Sequence, residues 1–97
     1  MLPPLDDDRL AAVTRLIEAA GFEASHFAWE SSEETHTLLH TPTGYRFSIY
    51  PPGRLRFYRV VYRPGAMSED SFATSIGTWE DVLRLVEKWL RLIVREV

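Results

Sequence analysis

Three histidines are the first residues whose type and spacing could support chemistry. His36 and His40 stand four positions apart, the spacing at which a helix brings two imidazoles to one metal ion. The surrounding residues predict a strand, however, and four strand residues separate two Cα atoms by about 13 Å. One ion cannot bridge that distance without further ligands, and His26 could join only through the fold. We therefore predict structural or surface histidines and no metal site.

Other catalytic patterns do not occur in the sequence. Glu33 and Glu34 are adjacent in a predicted turn, so their carboxylates point apart and cannot share acid–base work. The chain has no cysteine, which removes disulfides, thiolate metal sites and cysteine nucleophiles. It also has no Gly-x-Ser-x-Gly turn, phosphate-binding loop or dinucleotide fingerprint. We expect a protein that is not an enzyme and that holds no cofactor.

The composition predicts one small folded domain over residues 1–97. Hydrophobic residues make up 45% and aromatic residues 12% of the 97 residues, enough for the core of so short a chain. The N-terminal region carries Asp6, Asp7 and Asp8, where an export signal needs positive charge. No apolar run approaches the roughly 20 residues of a membrane span. These features favour a cytoplasmic protein without membrane association.

Charge is distributed unevenly along the chain, although the net charge is only −3. Residues 1–34 carry eight acidic side chains and two arginines. Residues 35–67 carry five arginines and no acidic side chain, and residues 68–97 carry six acidic and four basic ones. The middle segment is therefore the part of the chain that suits an acidic partner.

The chain begins with a predicted helix and continues into predicted strands. Asp6 can cap a helix over 7–20, and Gly21 supplies a left-handed stop. Turn residues then separate segments with alternating or β-branched residues. These predicted strands cover 25–31, 35–41, 45–50 and 54–63. Their connections are too short for parallel crossovers, so we predict an antiparallel meander, followed by a loop over 66–77.

A second helix is predicted from Thr78 to the end of the sequence, and its apolar surface is wide. Its apolar side chains span an arc of about 200°, whereas packing on one layer needs roughly 100°. The excess lies on the flank that holds Leu85, Trp89 and Leu92. Either the first helix covers this flank within the protomer, or the flank forms a subunit interface. The second alternative predicts a homodimer, because Trp is favoured at interface centres.

The predicted fold is an α+β two-layer sandwich in the order α-β-β-β-(β)-α, with both helices on one face of the sheet. Period-two alternation places Phe47, Ile49 and Phe57 beneath the helices. The opposite face collects arginines and tyrosines as a candidate binding surface: Arg46, Tyr50, Arg54, Arg56, Tyr58 and Tyr62. Arg59 falls on the inner side, which requires a bulge, an edge position or a different register. The alternative to a binding surface is a solvated face with Arg–Tyr cross-strand pairs.

Two classes of partner fit this face. Arginine presents a planar fork that suits carboxylates, so an acidic protein segment is the first. The second is single-stranded nucleic acid, because the run from Gly44 to Tyr50 resembles the strand signature of the RNA-recognition motif, in which aromatic side chains stack on bases. That motif's fold runs βαββαβ, however, and the acidic flanks of this chain would repel phosphates. We expect a protein partner and keep nucleic acid as the alternative.

Two family resemblances also point to binding. Tyr62-Arg63-Pro64-Gly65, followed by Trp79, nine residues and Trp89-Leu90, resembles small uncharacterised bacterial domains with a Pro-Gly loop before a Trp-x9-Trp-Leu helix. The helix–meander–helix order is similar to that of dimeric secretion-chaperone folds. Both resemblances imply a non-catalytic bacterial interaction module or a small subunit of a complex, and neither implies an activity.

Overall fold

The computed structural model describes residues 5–52, 57–62 and 72–96. These residues form an open five-stranded antiparallel sheet and two α-helices, with the strands adjacent in chain order. The elements are α1 Asp7–Ala19, β1 Phe27–Ser31, β2 His36–His40, β3 Tyr45–Tyr50, β4 Tyr58–Tyr62, β5 Phe72–Ile76 and α2 Trp79–Glu96. A short 3-10 turn, Ala24–His26, links α1 to β1. The predicted α+β meander is confirmed, with five strands.

β5 is the element that the sequence reasoning missed, because it lies within the predicted loop over 66–77. It pairs antiparallel with β4, with Ala73 opposite Val61 and Ser75 opposite Arg59. Along β5, Thr74 is half-buried whereas Ala73 and Ser75 are exposed, the alternation of a strand with one covered face. The small, polar outer residues gave the segment the composition of a loop, which is why the strand was overlooked.

Local capping sets the helix ends as the sequence predicts. Asp6 caps α1 by accepting the backbone N–H three positions on, at 2.8 Å. Gly21 has a φ of +88°, and the N–H of Phe22 donates to the carbonyl of Ile17 at 3.1 Å, the arrangement of a Schellman motif. Thr78 caps α2 by accepting the N–H of residue 81 at 3.2 Å. These caps fix where each helix begins and where α1 ends.

Both helices lie on one face of the sheet, as predicted. A single hydrophobic cluster joins residues of α1 and α2 to alternate residues of the strands. Its largest fully buried members are Trp89, Phe47, Leu38, Ile49, Leu90, Ile93, Val13, Val60, Val82 and Val86. We call the face under the helices the inner face and the opposite one the outer face.

Trp89 belongs to this core and not to the protomer surface. It is 0% exposed, and its ring centre lies 5.6 Å from that of Phe47 and 6.2 Å from that of Phe27. Leu85 and Leu92 are half-buried against the same cluster. The predicted self-association flank therefore lacks its central residue, because the large ring is already buried within one chain. Self-association itself stays a prediction.

Candidate interaction surface

The register between β3 and β4 decides which side chains reach the outer face. Phe47, which is fully buried, pairs with Tyr62, so alternation turns both Tyr58 and Tyr62 towards the helices. These tyrosines are 6% and 3% exposed. The prediction that they belong to a binding face is wrong, because the register of β4 is shifted by one residue from the predicted one. Arg59 consequently lies on the outer face without a bulge.

Both tyrosines pack tightly in the core. The ring centre of Tyr58 lies 6.0 Å from that of Trp79, and the guanidinium of Arg9 lies 5.9 Å from the Tyr58 ring. Tyr62 stacks on an aromatic ring of β3 at 5.4 Å, and burial raises the pKa of its hydroxyl above the usual value. Aromatic rings have more apolar area to bury than a small aliphatic residue such as Val61, so the larger residues of β4 face inward.

The outer face has a floor of small side chains across its middle. The row that crosses all five strands consists of Glu30, Thr37, Ser48, Val61 and Ala73. The hydroxyl oxygens of Thr37 and Ser48 lie 3.1 Å apart. Because no large side chain stands in the centre of this row, an extended segment can approach the sheet closely there.

On one side of this floor, Arg46 is already paired with a carboxylate. Its Nη1 lies 3.4 Å from Oε2 of Glu30, and the two side chains are 59% and 48% exposed. Exposed ion pairs contribute little to stability, typically about 0–1 kcal/mol. The pair also leaves this side of the outer face close to neutral. Arg46 is therefore on the predicted face but is not a free cation.

The other side of the floor carries an arginine held by aromatic contact. Tyr50 and Arg59 are direct cross-strand neighbours, and the Arg59 guanidinium lies 5.4 Å from the centre of the Tyr50 ring, within range of a cation–π interaction. Arg59 is exposed and has no carboxylate partner among the described residues. Phe57 is 55% exposed, and β4 alternation places it on the same side. We call Tyr50, Phe57 and Arg59 the Arg59 corner.

The corner differs from the set of residues predicted from the sequence. Arg54 and Arg56, two of the six predicted residues, lie outside the described residues. Of the other four, Arg46 and Tyr50 lie on the outer face, whereas Tyr58 and Tyr62 lie in the core. Phe57 and Arg59 are outer residues that the sequence pattern had placed on the inner face. The sequence of β4 alone did not mark its inner face, because apolar side chains stand on both, with Tyr58, Val60 and Tyr62 on one face and Phe57 and Val61 on the other.

His36 and His40 are buried on the inner side of the sheet, and the ring centre of His26 lies 6.5 Å from that of His40. His36 is 2% exposed, and its Nδ1 lies 2.9 Å from Oγ of Ser31. His40 is 4% exposed, and its Nδ1 lies 2.7 Å from Oγ1 of Thr43. Burial, and to a smaller degree the nearby charge of His26, lower the pKa of His40 below its usual value. No group of three or more His, Asp or Glu among the described residues is placed to hold a metal ion.

A groove between the two helices is the second surface feature. Its cavity has a volume of about 530 Å³ and is lined by Leu16, Ala19, Ala20, Glu87, Arg91 and Val94. Nη2 of Arg91 donates to Oε1 of Glu87 at 2.9 Å, so the charged side chains of this lining satisfy one another. Arg59 on the outer face, in contrast, lacks an anionic partner in the described part of the chain. The outer face is therefore the stronger candidate site.

Comparisons with protein-family models, with curated proteins and with solved structures gave no match. Across residues 5–52, 57–62 and 72–96, no helix combines the length and apolar content that crossing a bilayer requires. A fold alone does not imply a function, which depends on the chemistry of the surface.

Proposed function

We propose that this protein is a non-catalytic interaction module whose outer sheet face binds an acidic, extended protein segment. The observation that supports this function is the Arg59 corner, where an exposed guanidinium rests on the ring of Tyr50 beside the exposed ring of Phe57. Tyr and Arg are among the residues that most often dominate binding energy at protein interfaces. The proposal includes a cytoplasmic setting, and the family resemblances given above favour a bacterial protein that is a small subunit of a complex.

The chemistry of the corner favours a carboxylate-bearing ligand. A guanidinium offers two parallel N–H donors to one carboxylate, which is a stronger pairing than a neutral hydrogen bond. Contact with Tyr50 restricts the Arg59 side chain, so less conformational entropy is lost when a ligand binds. The floor of small residues beside it gives room for the backbone of the ligand, and Phe57 offers an apolar surface for its neighbouring side chains.

Nucleic acid is the less favoured ligand on this face. Single-strand binding uses a series of exposed aromatic rings on which successive bases stack, in a basic groove. On the described outer face, Tyr50 is half-buried beneath Arg59, which leaves Phe57 as the exposed ring. Arg46 on the same face is already paired with Glu30, which leaves Arg59 as the unpaired cation of the described outer face, whereas a phosphate backbone is bound by several cations.

A peptide-binding experiment tests the proposal. The probe is a fluorescein-labelled peptide of four Glu-Leu repeats, titrated with wild-type protein and followed by fluorescence anisotropy. Arg59→Ala should weaken binding by about 5–10-fold, since a charge-assisted contact is worth on the order of 1 kcal/mol or more. Arg15→Ala is the matched control, because Arg15 is an exposed arginine on α1, and it should change affinity by less than about twofold.

The same titration with a Lys-Leu peptide and with a single-stranded oligonucleotide separates the alternatives. The basic peptide should not bind. Equal losses in the Arg59 and Arg15 variants would indicate nonspecific attraction and contradict the proposal. Submicromolar oligonucleotide binding that the Arg59 substitution abolishes would instead support a nucleic-acid-binding function.

A further inference from the structure

The two edges of the sheet differ in how they are protected against pairing. Edge strands are commonly blunted by charged residues or proline, because their unpaired backbone groups can bind another strand. β1 carries the exposed Glu30 and leads into a turn with Glu33 and Glu34. β5 has the sequence Phe-Ala-Thr-Ser-Ile and contains no charge, proline or glycine. Among the described residues, β5 therefore lacks the charged side chain that β1 carries in Glu30.

The hydrogen-bond pattern shows which backbone groups face outward at β5. The N–H of Ser32 donates to the carbonyl of Thr35, and that of Thr41 to the carbonyl of His26, both at 2.9 Å. Antiparallel neighbours alternate between hydrogen-bonded and non-bonded pairs, and the register runs without a bulge through every ladder. Following this alternation from the β1–β2 ladder through each register to β5 places residues 72, 74 and 76 in the hydrogen-bonded pairs with β4. The N–H and C=O groups of residues 73 and 75 therefore face away from β4.

The side chains at these positions also leave the edge accessible. Ala73 and Ser75 are both exposed on the outer face, and both are small. Thr74, which lies between them in the strand, is uncharged and half-buried on the inner face. A second strand could approach this edge without a steric or electrostatic obstacle from the described residues of β5.

We propose that β5 pairs antiparallel with β5 of a second copy of the chain, about a two-fold axis near Thr74. Ala73 of each copy then lies opposite Ser75 of the other, and each such pair exchanges two backbone hydrogen bonds. A second copy is the occupant because residues 72–76 carry no charged side chain and so do not repel the same strand of another copy. Two-fold pairing also closes the assembly at a dimer, whereas pairing of β5 with the β1 edge of the next copy would propagate.

The dimer should be a low-affinity one. Pairing of two short strands buries much less surface than the roughly 1,200–2,000 Å² of a stable interface. We expect dissociation in the range of about 10–500 µM, so that the oligomeric state changes with concentration.

Sedimentation velocity from about 10 µM to 1 mM measures this equilibrium, and amide spectra of ¹⁵N-labelled protein over the same range locate the contact. Concentration-dependent shifts should centre on Ala73 and Ser75. Ala73→Lys should raise the dimer dissociation constant at least about tenfold. Ala28→Lys is the matched control, because Ala28 is an exposed alanine on the outer face of the opposite edge strand, and it should leave dimerisation unchanged.

Three results would overturn this pairing: a monomer throughout the concentration range, amide shifts centred on β1 or α2, or dimerisation lost with Leu92→Glu but retained with Ala73→Lys. The wild-type spectra decide the matter even if the lysine variant does not fold. The Arg59→Ala variant should dimerise normally. Failure of the dimer is thereby distinguishable from failure of acidic-peptide binding.

Discussion

Arg59 and Tyr50 face each other across the β3–β4 ladder on the outer face, with the guanidinium 5.4 Å from the centre of the ring. The ring restrains the guanidinium, while the exposed side chain keeps N–H donors available to a ligand. A cation that is ordered before binding loses less conformational entropy on contact with a carboxylate. The proposed recognition of an acidic segment depends on this pair.

A double-mutant cycle on the pair measures its strength. The single variants Tyr50→Ala and Arg59→Ala and their combination should show a coupling of about 0.5–1 kcal/mol in the free energy of unfolding, the range of an exposed cation–π contact. Urea denaturation followed by tryptophan fluorescence supplies the values. Strictly additive effects would mean that the two side chains do not interact in solution.

Two aromatic residues of the β4 region test the register of this strand. Tyr62→Ala removes a core ring that is 3% exposed and should lower the free energy of unfolding by about 3–5 kcal/mol. Phe57→Ala removes a ring that is 55% exposed and should change it by no more than about 0.5 kcal/mol. The opposite order, again by urea denaturation, would restore the register in which Phe57 is covered.

Substitutions at Trp89 separate a core role from an interface role. Trp89→Ala should cost about 3–5 kcal/mol of unfolding free energy, because it leaves a large cavity. Trp89→Phe should cost less, since it keeps an aromatic ring and removes an indole N–H that has no hydrogen-bond partner in the described part of the chain. Leu92→Ala, at a half-buried position, should cost about 1–2 kcal/mol. A fully stable Trp89→Ala monomer would contradict the core assignment.

His40 should make the fold sensitive to mild acid. Its folded-state pKa lies below the ordinary 6.5 because of burial, with a smaller effect from His26. The unfolded chain therefore binds the proton more readily, and stability present above about pH 6.5 is lost as the pH falls towards the folded-state pKa. Melting temperatures between pH 7.5 and 5.5 should decline for the wild type and less steeply for His40→Phe.

His26→Gln is the control for this pH dependence. It should retain most of the decline, because burial is the larger cause of the lowered pKa of His40. If His40→Phe shows the same slope as the wild type, another group is responsible for the acid sensitivity.

Features set by local chemistry were predictable from the sequence. Asp6 and Gly21 mark the two ends of α1 because a cap and a left-handed stop each act within a few residues. The turn that ends at Gly44, with a φ of +79°, was equally readable between β2 and β3. Short connections then sufficed to predict an antiparallel meander.

Features set by pairing between strands were not predictable in the same way. Alternation gives two faces to β4 but does not say which one is inner, and a shift of one residue exchanges them all. The pairing of Phe47 with Tyr62 decides this, and it is a tertiary contact. β5 was missed because its outer residues, Ala73 and Ser75, are small or polar, so its composition is close to that of a loop. Of the described residues predicted for the outer face, Arg46 and Tyr50 therefore lie there, whereas Tyr58 and Tyr62 lie in the core and Phe57 and Arg59 take their places.

The most direct test of outer-face binding is a ¹H–¹⁵N titration of the wild-type protein with the peptide of four Glu-Leu repeats. The proposed function predicts the largest shifts at the Arg59 side-chain Nε–H and at the amides of Tyr50, Ser48 and Arg59, with α1 and α2 unchanged. Shifts confined to the groove between the helices, or no shifts at millimolar peptide, would contradict it.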